Sequence, residues 1–219
     1  MRVEVWSDVV CPWCYVGTRR LSAALDRFDG DVEVSYRAFE LDPTVPAGGV
    51  DLADYLARKF GSPAALDRLH DRLALVGADV GVDFRWSGQR RVNTFDAHRL
   101  GVWAEGAGGA GARAALEQRL FRAYFTDSAD VSDHAVLTRL AAEVGLDPGG
   151  AGARAALATG AGADQVRAEE AQATDLGISA VPTFVIEGRW AIPGAQDVDT
   201  FSKILDTAAE RLESIRGND

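Results

Sequence analysis

Hydrophobic and polar positions alternate at the start of the chain. "RVEVWS" (2–7) is also rich in β-branched and aromatic residues, and it predicts a short strand. The period turns helical from Tyr15 to Phe28, where Leu21, Leu25 and Phe28 recur and Gly30 supplies a stop. Alternation returns in "DVEVSYRAFEL" (31–41), with Val32, Val34, Tyr36 and Ala38 on one face and Glu33, Ser35 and Arg37 on the other. Strand, helix and strand in such a short span form a βαβ pattern. That pattern calls for a sheet with some parallel pairing.

From about 51 to 160 the periodicity is almost wholly helical. Asp51 can cap "LADYLARKF" before Gly61, and Ser62-Pro63 opens a helix whose buried stripe is Leu66, Leu69, Leu73 and Val76. "NTFDAHRLGVWAEG" begins with a pair, Asn93 and Asp96, that resembles a capping box. "ARAALEQRLFRAYF" and "SDHAVLTRLAAEVGL" extend the helical block, and "GADQVRAEEAQATDLG" follows a Gly/Ala-rich break. The glycine-rich stretches 106–111 and 149–162 read as loops or helix breaks. Strand character returns in "VPTFVIEGRWAIPG", two short strands about a Glu187-Gly188 turn, and "DVDTFSKILDTAAERL" closes the chain as a helix burying Phe201, Ile204, Leu205 and Leu212.

Composition narrows the classes of partner. The chain has 219 residues, 47% of them hydrophobic and 26% charged, which suits a globular protein with a large core. A net charge of −10 argues against nucleic acid or an anionic membrane surface as partner. No apolar run is long enough to span a bilayer, and Glu4 and Asp8 interrupt what would be a signal-peptide core. The expected location is the cytoplasm, where two cysteines more often do chemistry than staple a fold.

Those two cysteines, Cys11 and Cys14, stand three apart in "VCPWCYVG", directly after the first strand and at the start of the first helix. That spacing places them on one helix face, with Cβ atoms roughly 5–6 Å apart, within reach of a disulfide after modest adjustment. Pro12 is tolerated because first-turn amides have no intrahelical partner. A thiol at the helix start faces unsatisfied N–H groups and the positive end of the dipole, which favour the reactive thiolate. Cys14, one turn deeper, suits the resolving role. A structural disulfide, a zinc site and a pair of inert core thiols compete with this reading. The zinc site lacks ligands: His70, His98 and His134 stand in no metal-ligand spacing.

"SDVVCPWCYVG", "NTFDAHRL", "FRAYFTD" and "GISAVPTFVIEGRWAIPGAQ", taken in order, resemble the DsbA-like thioredoxin-fold oxidoreductases of the FrnE type. The resemblance spans essentially the whole chain. It implies an α/β thioredoxin fold (βαβ…αββα) from residues 1–45 and 161–219, with an all-helical domain, 46–160, inserted. It implies Cys11 as nucleophile and Cys14 as resolving cysteine, a redox-active Cys11–Cys14 disulfide and no bound cofactor. By the same resemblance Pro182 of "AVPTF" matches the family's cis-proline, with Val181 presenting its backbone to the partner. Without it, Pro182 reads as an ordinary strand-start proline. The implied partners are protein or small-molecule thiols and disulfides, with a low-molecular-weight thiol as a conceivable co-substrate. This chain has CPWC where DsbA resembles CPHC, and Trp13 brings no charge, so a weaker oxidant is expected.

Relatives of similar layout, the 2-hydroxychromene-2-carboxylate isomerases and kappa-class glutathione transferases, place a serine where Cys11 stands. An isomerase or transferase is therefore the alternative enzyme reading, and a holdase with the helical insertion as its surface is the alternative from another class. Around the motif, Pro12 and Trp13 are expected to contact the partner. Asp8 is a turn former that could move a proton to the buried thiol. His98 is a helical histidine that could point toward the site. "GAQ" (194–196) is read as a turn and cap.

Overall fold

The computed structural model describes residues 1–61, 63–86 and 88–216. The expected Ser62 cap therefore lies outside the described residues. The first three elements are β1 (Arg2–Ser7), α1 (Pro12–Leu25) and β2 (Glu33–Ala38), and β1 pairs with β2 in parallel, Val5 opposite Tyr36. Far along the chain β5 (Thr183–Ile186) and β6 (Trp190–Pro193) form the expected hairpin, with Glu187 and Gly188 both at positive φ. β5 then pairs antiparallel with β1, so the sheet order is β2-β1-β5-β6.

The alternation of β1 fixes what covers each face. Val3 and Val5 project with Phe184 and Ile186 into a cluster that includes Leu21 of α1 and Phe201 and Leu205 of α8 (Val198–Arg216). Trp6 and Val185 point the opposite way, onto Ala173 of α7 (Ala163–Asp175) and Ile178. This is a thioredoxin fold, and its helical additions come between β2 and α7.

Those additions are α2 (Leu52–Phe60), α3 (Pro63–Ala78), α4 (Phe95–Phe125), α5 (His134–Glu143) and α6 (Ala151–Thr159), with a two-residue ladder of β3 (Val50–Asp51) and β4 (Arg90–Arg91). Asp51 caps α2 as expected, its Oδ1 accepting from the Asp54 N–H at 2.9 Å. Two expectations need correction. No reciprocal capping box forms: Thr94 holds the N-cap of α4 without a side-chain bond, and Asn93 Oδ1 accepts from the Phe95 N–H. Asp96 turns instead to the Arg99 guanidinium and the His134 ring. The stretch 149–162 is no loop either, because it holds α6. Five alanines carry those two and a half turns of helix between Gly150 and Gly160, and alanine is the best helix former.

The other glycine-rich stretch breaks its helix at one residue. Gly109 has φ 77° and ψ −175°, a conformation essentially reserved for glycine, and α4 continues on both sides of it. Beyond the kink α4 runs past the β2 edge, where Gln118 donates to the Tyr36 hydroxyl at 3.1 Å. Among the described residues no helix is long and apolar enough to cross a membrane.

Candidate active site

β1 ends at Ser7, and the turn after it delivers Cys11 to the N-cap of α1 with Pro12 in the first turn. The Cys11 carbonyl accepts from the Cys14 N–H at 3.0 Å and the Tyr15 N–H at 3.3 Å, so the two cysteines sit one turn apart at the helix start. Both are free thiols. Cys14 is 0% exposed and Cys11 4%. Burial, reinforced by the neighbouring Cys11 sulfur, pushes the Cys14 thiol well above the ordinary cysteine range. Cys14 therefore stays protonated until something changes at Cys11.

Val181 and Pro182 come from the loop that leads into β5, and the peptide bond between them is cis. The Cys11 thiol donates to the Val181 carbonyl at 3.6 Å. Gly17 allows α1 to lie against this loop. A Cβ there would sit 3.1 Å from Pro182 Cγ and 3.2 Å from both Ala195 and Phe184, tight contacts that would require these neighbours to shift by a few tenths of an ångström. "GAQ" forms the expected turn beside it, the Gln196 N–H donating to the Gly194 carbonyl at 3.0 Å, but the cap of α8 is the next residue, Asp197, whose Oδ1 accepts from the Thr200 N–H at 2.7 Å.

A cavity of about 310 Å³ opens beside Cys11. Cys11, Pro12, Trp13 and Val181 form one side of it; α2, α3, Trp86 and the C-terminal end of α4 form the other. Trp13 is half-buried, with the Arg72 guanidinium 5.2 Å from its ring. A larger groove of about 1110 Å³, along Arg2, Glu4, Arg37 and Gln172, contains neither cysteine. Chemistry therefore favours the smaller space.

The sequence matches the DSBA-like thioredoxin domain family over residues 2–206. The chain belongs to this family. Its similarity to the Bacillus subtilis (strain 168) protein YwbO is 31% identity over 213 residues, covering 94% of this chain and 96% of YwbO. It resembles a Streptomyces coelicolor protein designated a probable DsbA oxidoreductase, at 38% identity and a TM-score of 0.87, covering 96% of this chain and 90% of that one. At lower identity the likeness is one of fold. The Pseudomonas aeruginosa cytosolic disulfide reductase DsbM, solved with glutathione, gives 23% identity and a TM-score of 0.66 over 96% of this chain and all of that one.

In this DsbA-like chain, Asp8 and His98 come together although ninety residues separate them. Asp8 is 0% exposed and His98 1%, with His98 Nε2 3.7 Å from Asp8 Oδ1. Asp8 Oδ2 accepts from the Leu41 N–H at 2.8 Å, and Oδ1 from the Val10 N–H at 3.3 Å, which is the turn-forming role. Burial alone would raise the Asp8 carboxyl; the facing His98, then Arg91 and the Leu41 amide, hold it below the usual carboxylate range. Burial would lower His98, and Asp8 with Glu117 behind it lifts it above the ordinary histidine range. Neither residue lines the cavity. His98 thus reaches the underside of the CxxC turn and stays out of the open groove.

Sequence reading passed over Arg91, which belongs to both places. It lines the cavity, and its Nη2 lies 3.9 Å from Asp8 Oδ2. The only signal was an arginine pair two residues before Asn93, on what is now the two-residue β4. Surface arginine pairs are common, so that signal carried no weight.

Proposed function

We propose that the protein is a thiol–disulfide oxidoreductase in which Cys11 is the nucleophile and Cys14 the resolving cysteine. One observation carries the reading: two free thiols one helical turn apart at the start of α1, the outer one reaching both the Val181 carbonyl and the cavity. Acting as reductant, the Cys11 thiolate attacks one sulfur of a disulfide RS–SR′, forms Cys11–S–S–R and expels R′S⁻, which takes a proton. Cys14 then attacks Cys11 Sγ, its proton leaving as the second thiolate RS⁻ departs and is protonated, and the Cys11–Cys14 disulfide remains. Two electrons and two protons have moved from protein to substrate. The reverse sequence oxidises a dithiol. The raised Cys14 supports this order, because a protonated resolver waits until Cys11 carries the substrate.

Val181 offers its carbonyl at the point where a bound substrate would lie, and Pro12, Trp13 and Pro182 frame it. No bound cofactor is needed for this chemistry. The substrates are protein or small-molecule thiols and disulfides, and the glutathione in DsbM supports a low-molecular-weight thiol as co-substrate. We place the protein in the cytoplasm, as DsbM is, and take residues 46–160 as the inserted unit and 1–45 with 161–219 as the thioredoxin-like unit. Asp8 and His98 are positioning residues beneath the motif. The isomerase and transferase reading is weaker because both cysteines are present.

Insulin reduction with dithiothreitol tests the reading. Activity is expected to vanish in Cys11→Ser, and Cys14→Ser is expected to accumulate mixed disulfides through Cys11. A variant without either cysteine that still suppresses insulin aggregation would support a holdase and overturn the redox assignment.

A further inference from the structure

The cavity beside Cys11 has walls of unequal chemistry. Most of the lining is hydrocarbon or aromatic, with Trp13, Tyr55, Trp86 and Phe125 among it. Lys59 and Arg91 line it too, and no Asp or Glu does among the described residues. In a chain of net charge −10, a cavity with two cations and no acid is selective. Arg91 is 5% exposed, yet its Nε meets no acceptor among the described residues. Among the described residues its guanidinium faces the Asp8 carboxylate at 3.9 Å and the Tyr55 ring at 5.3 Å, with the Asp42 carboxylate also within electrostatic reach, and none of these accepts a hydrogen bond from it. A buried guanidinium normally satisfies its donors, and the planar fork matches the paired oxygens of a carboxylate. His70 adds a second buried nitrogen without a partner, Nε2, on the same cavity, stacked at 4.5 Å on Trp86.

We propose that this cavity binds a small disulfide whose body is aromatic or otherwise apolar and which bears a carboxylate, the body seated on the aromatic wall and the carboxylate on Arg91. The proposal rests on the redox reading, since it names the substrate class of the same site. The volume of about 310 Å³ lies at the small end for ligand sites and suits one ring system in preference to a length of polypeptide. The seated ligand presents its sulfur to Cys11. Cys11 takes that sulfur as a mixed disulfide and expels the other half as a thiolate; Cys14 then closes the protein disulfide and releases the carboxylated thiol. The two electrons come from the protein dithiol, which a low-molecular-weight thiol restores by oxidation to its own disulfide.

Two isosteric probes test it: bis(carboxyphenyl) disulfide and bis(carbamoylphenyl) disulfide, each reacted with the reduced protein in single turnover. Rates are divided by those of the same probes with a simple thiol in solution, which removes intrinsic reactivity. The expected preference for the carboxylate is about tenfold or more, falling to near one in Arg91→Gln and partly restored in Arg91→Lys. A ratio near one in the native protein, or an unchanged ratio in Arg91→Gln, overturns the proposal. Binding of redox-inert naphthoate against naphthamide, followed by tryptophan fluorescence of the native protein, gives a second measurement that needs no variant and no turnover. Naphthoate should bind about tenfold more tightly, and equal binding sinks the carboxylate site. Tight naphthoate binding without oxidation by either disulfide would instead sink the redox reading and leave the site standing.

Discussion

At the scale of single residues, position relative to α1 decides what each group can do. Cys11 and Cys14 are both buried, but Cys11 lines the cavity and Cys14 does not, because one caps the helix and the other lies a turn inside it. Trp13 between them brings area and a π face but no charge. A histidine there would stabilise anionic sulfur at Cys11, so Trp13→His should make the protein more oxidising by tens of millivolts. About 30 mV corresponds to 1.4 kcal/mol for this two-electron couple. A glutathione redox titration measures it, and an unchanged or lower potential contradicts the electrostatic role given to residue 13. The buried Asp8–His98 pair predicts a pH dependence. The raised His98 contributes stability that is complete below the ordinary histidine value of about 6.5 and fades as pH rises through its folded value. The lowered Asp8 contributes stability that is complete above about pH 4 and fades in stronger acid. Arg91 and Glu117 face the same pair and remain in the variant. His98→Gln should therefore cost about 3 kcal/mol near pH 6, where a buried pair is broken, and clearly less near pH 9. Thermal unfolding at both pH values decides it; an equal loss would make His98 a packing residue only. These residues also show where sequence reading stops. The CxxC is local, so spacing and the preceding strand reveal it. Pro182 was recognisable only through resemblance, because few X–Pro bonds are cis. The pairing of Asp8 with His98 and Arg91 depends on how α4 and β4 pack, which no local pattern encodes.

Among the elements, α4 is the one whose internal break matters. Sequence reading placed a helix break within 106–111, and the structure confines it to Gly109. Composition could not choose among the neighbouring glycines. Nothing lies within 4 Å of a Cβ built on either Gly109 or Gly111, so contacts do not separate them and backbone conformation does. Gly109→Ala should cost about 1–3 kcal/mol, the price of forcing a side chain into that region. Gly111→Ala, on a helical backbone, should gain roughly 0.5–1 kcal/mol. Chemical denaturation of both variants separates them, and two changes of the same sign would contradict the kink. The α6 segment shows the opposite weakness of composition. Glycines at its ends suggested a loop, while the alanines between them had enough helix propensity to form α6.

For the whole molecule, a buried charge network joins the helical additions to the sheet. Arg113 of α4 makes a two-pronged contact with Glu169 of α7 at 2.8 and 2.9 Å and reaches Glu105 across the kink. Glu169 Oε2 also accepts from the Ala38 N–H of β2 at 2.7 Å, and Arg37 bonds Glu4 of β1 alongside. Glu169→Ala should destabilise the fold by about 3–5 kcal/mol because it strands a buried guanidinium, whereas replacing Arg113 and Glu169 together by Met and Leu should recover most of that loss. A double variant as unstable as the single one would mean that the network holds the architecture by more than charge balance. Through this network and the aromatic wall over Cys11, the helical additions and the thioredoxin sheet together build the site proposed here for redox chemistry. The most direct test equilibrates the protein in glutathione buffers of graded potential and then alkylates its thiols for mass spectrometry. The account predicts one two-electron transition between two free thiols and an intramolecular Cys11–Cys14 disulfide, abolished in Cys11→Ser. Two thiols that stay free across the whole range, or only single-cysteine glutathione adducts, would contradict it.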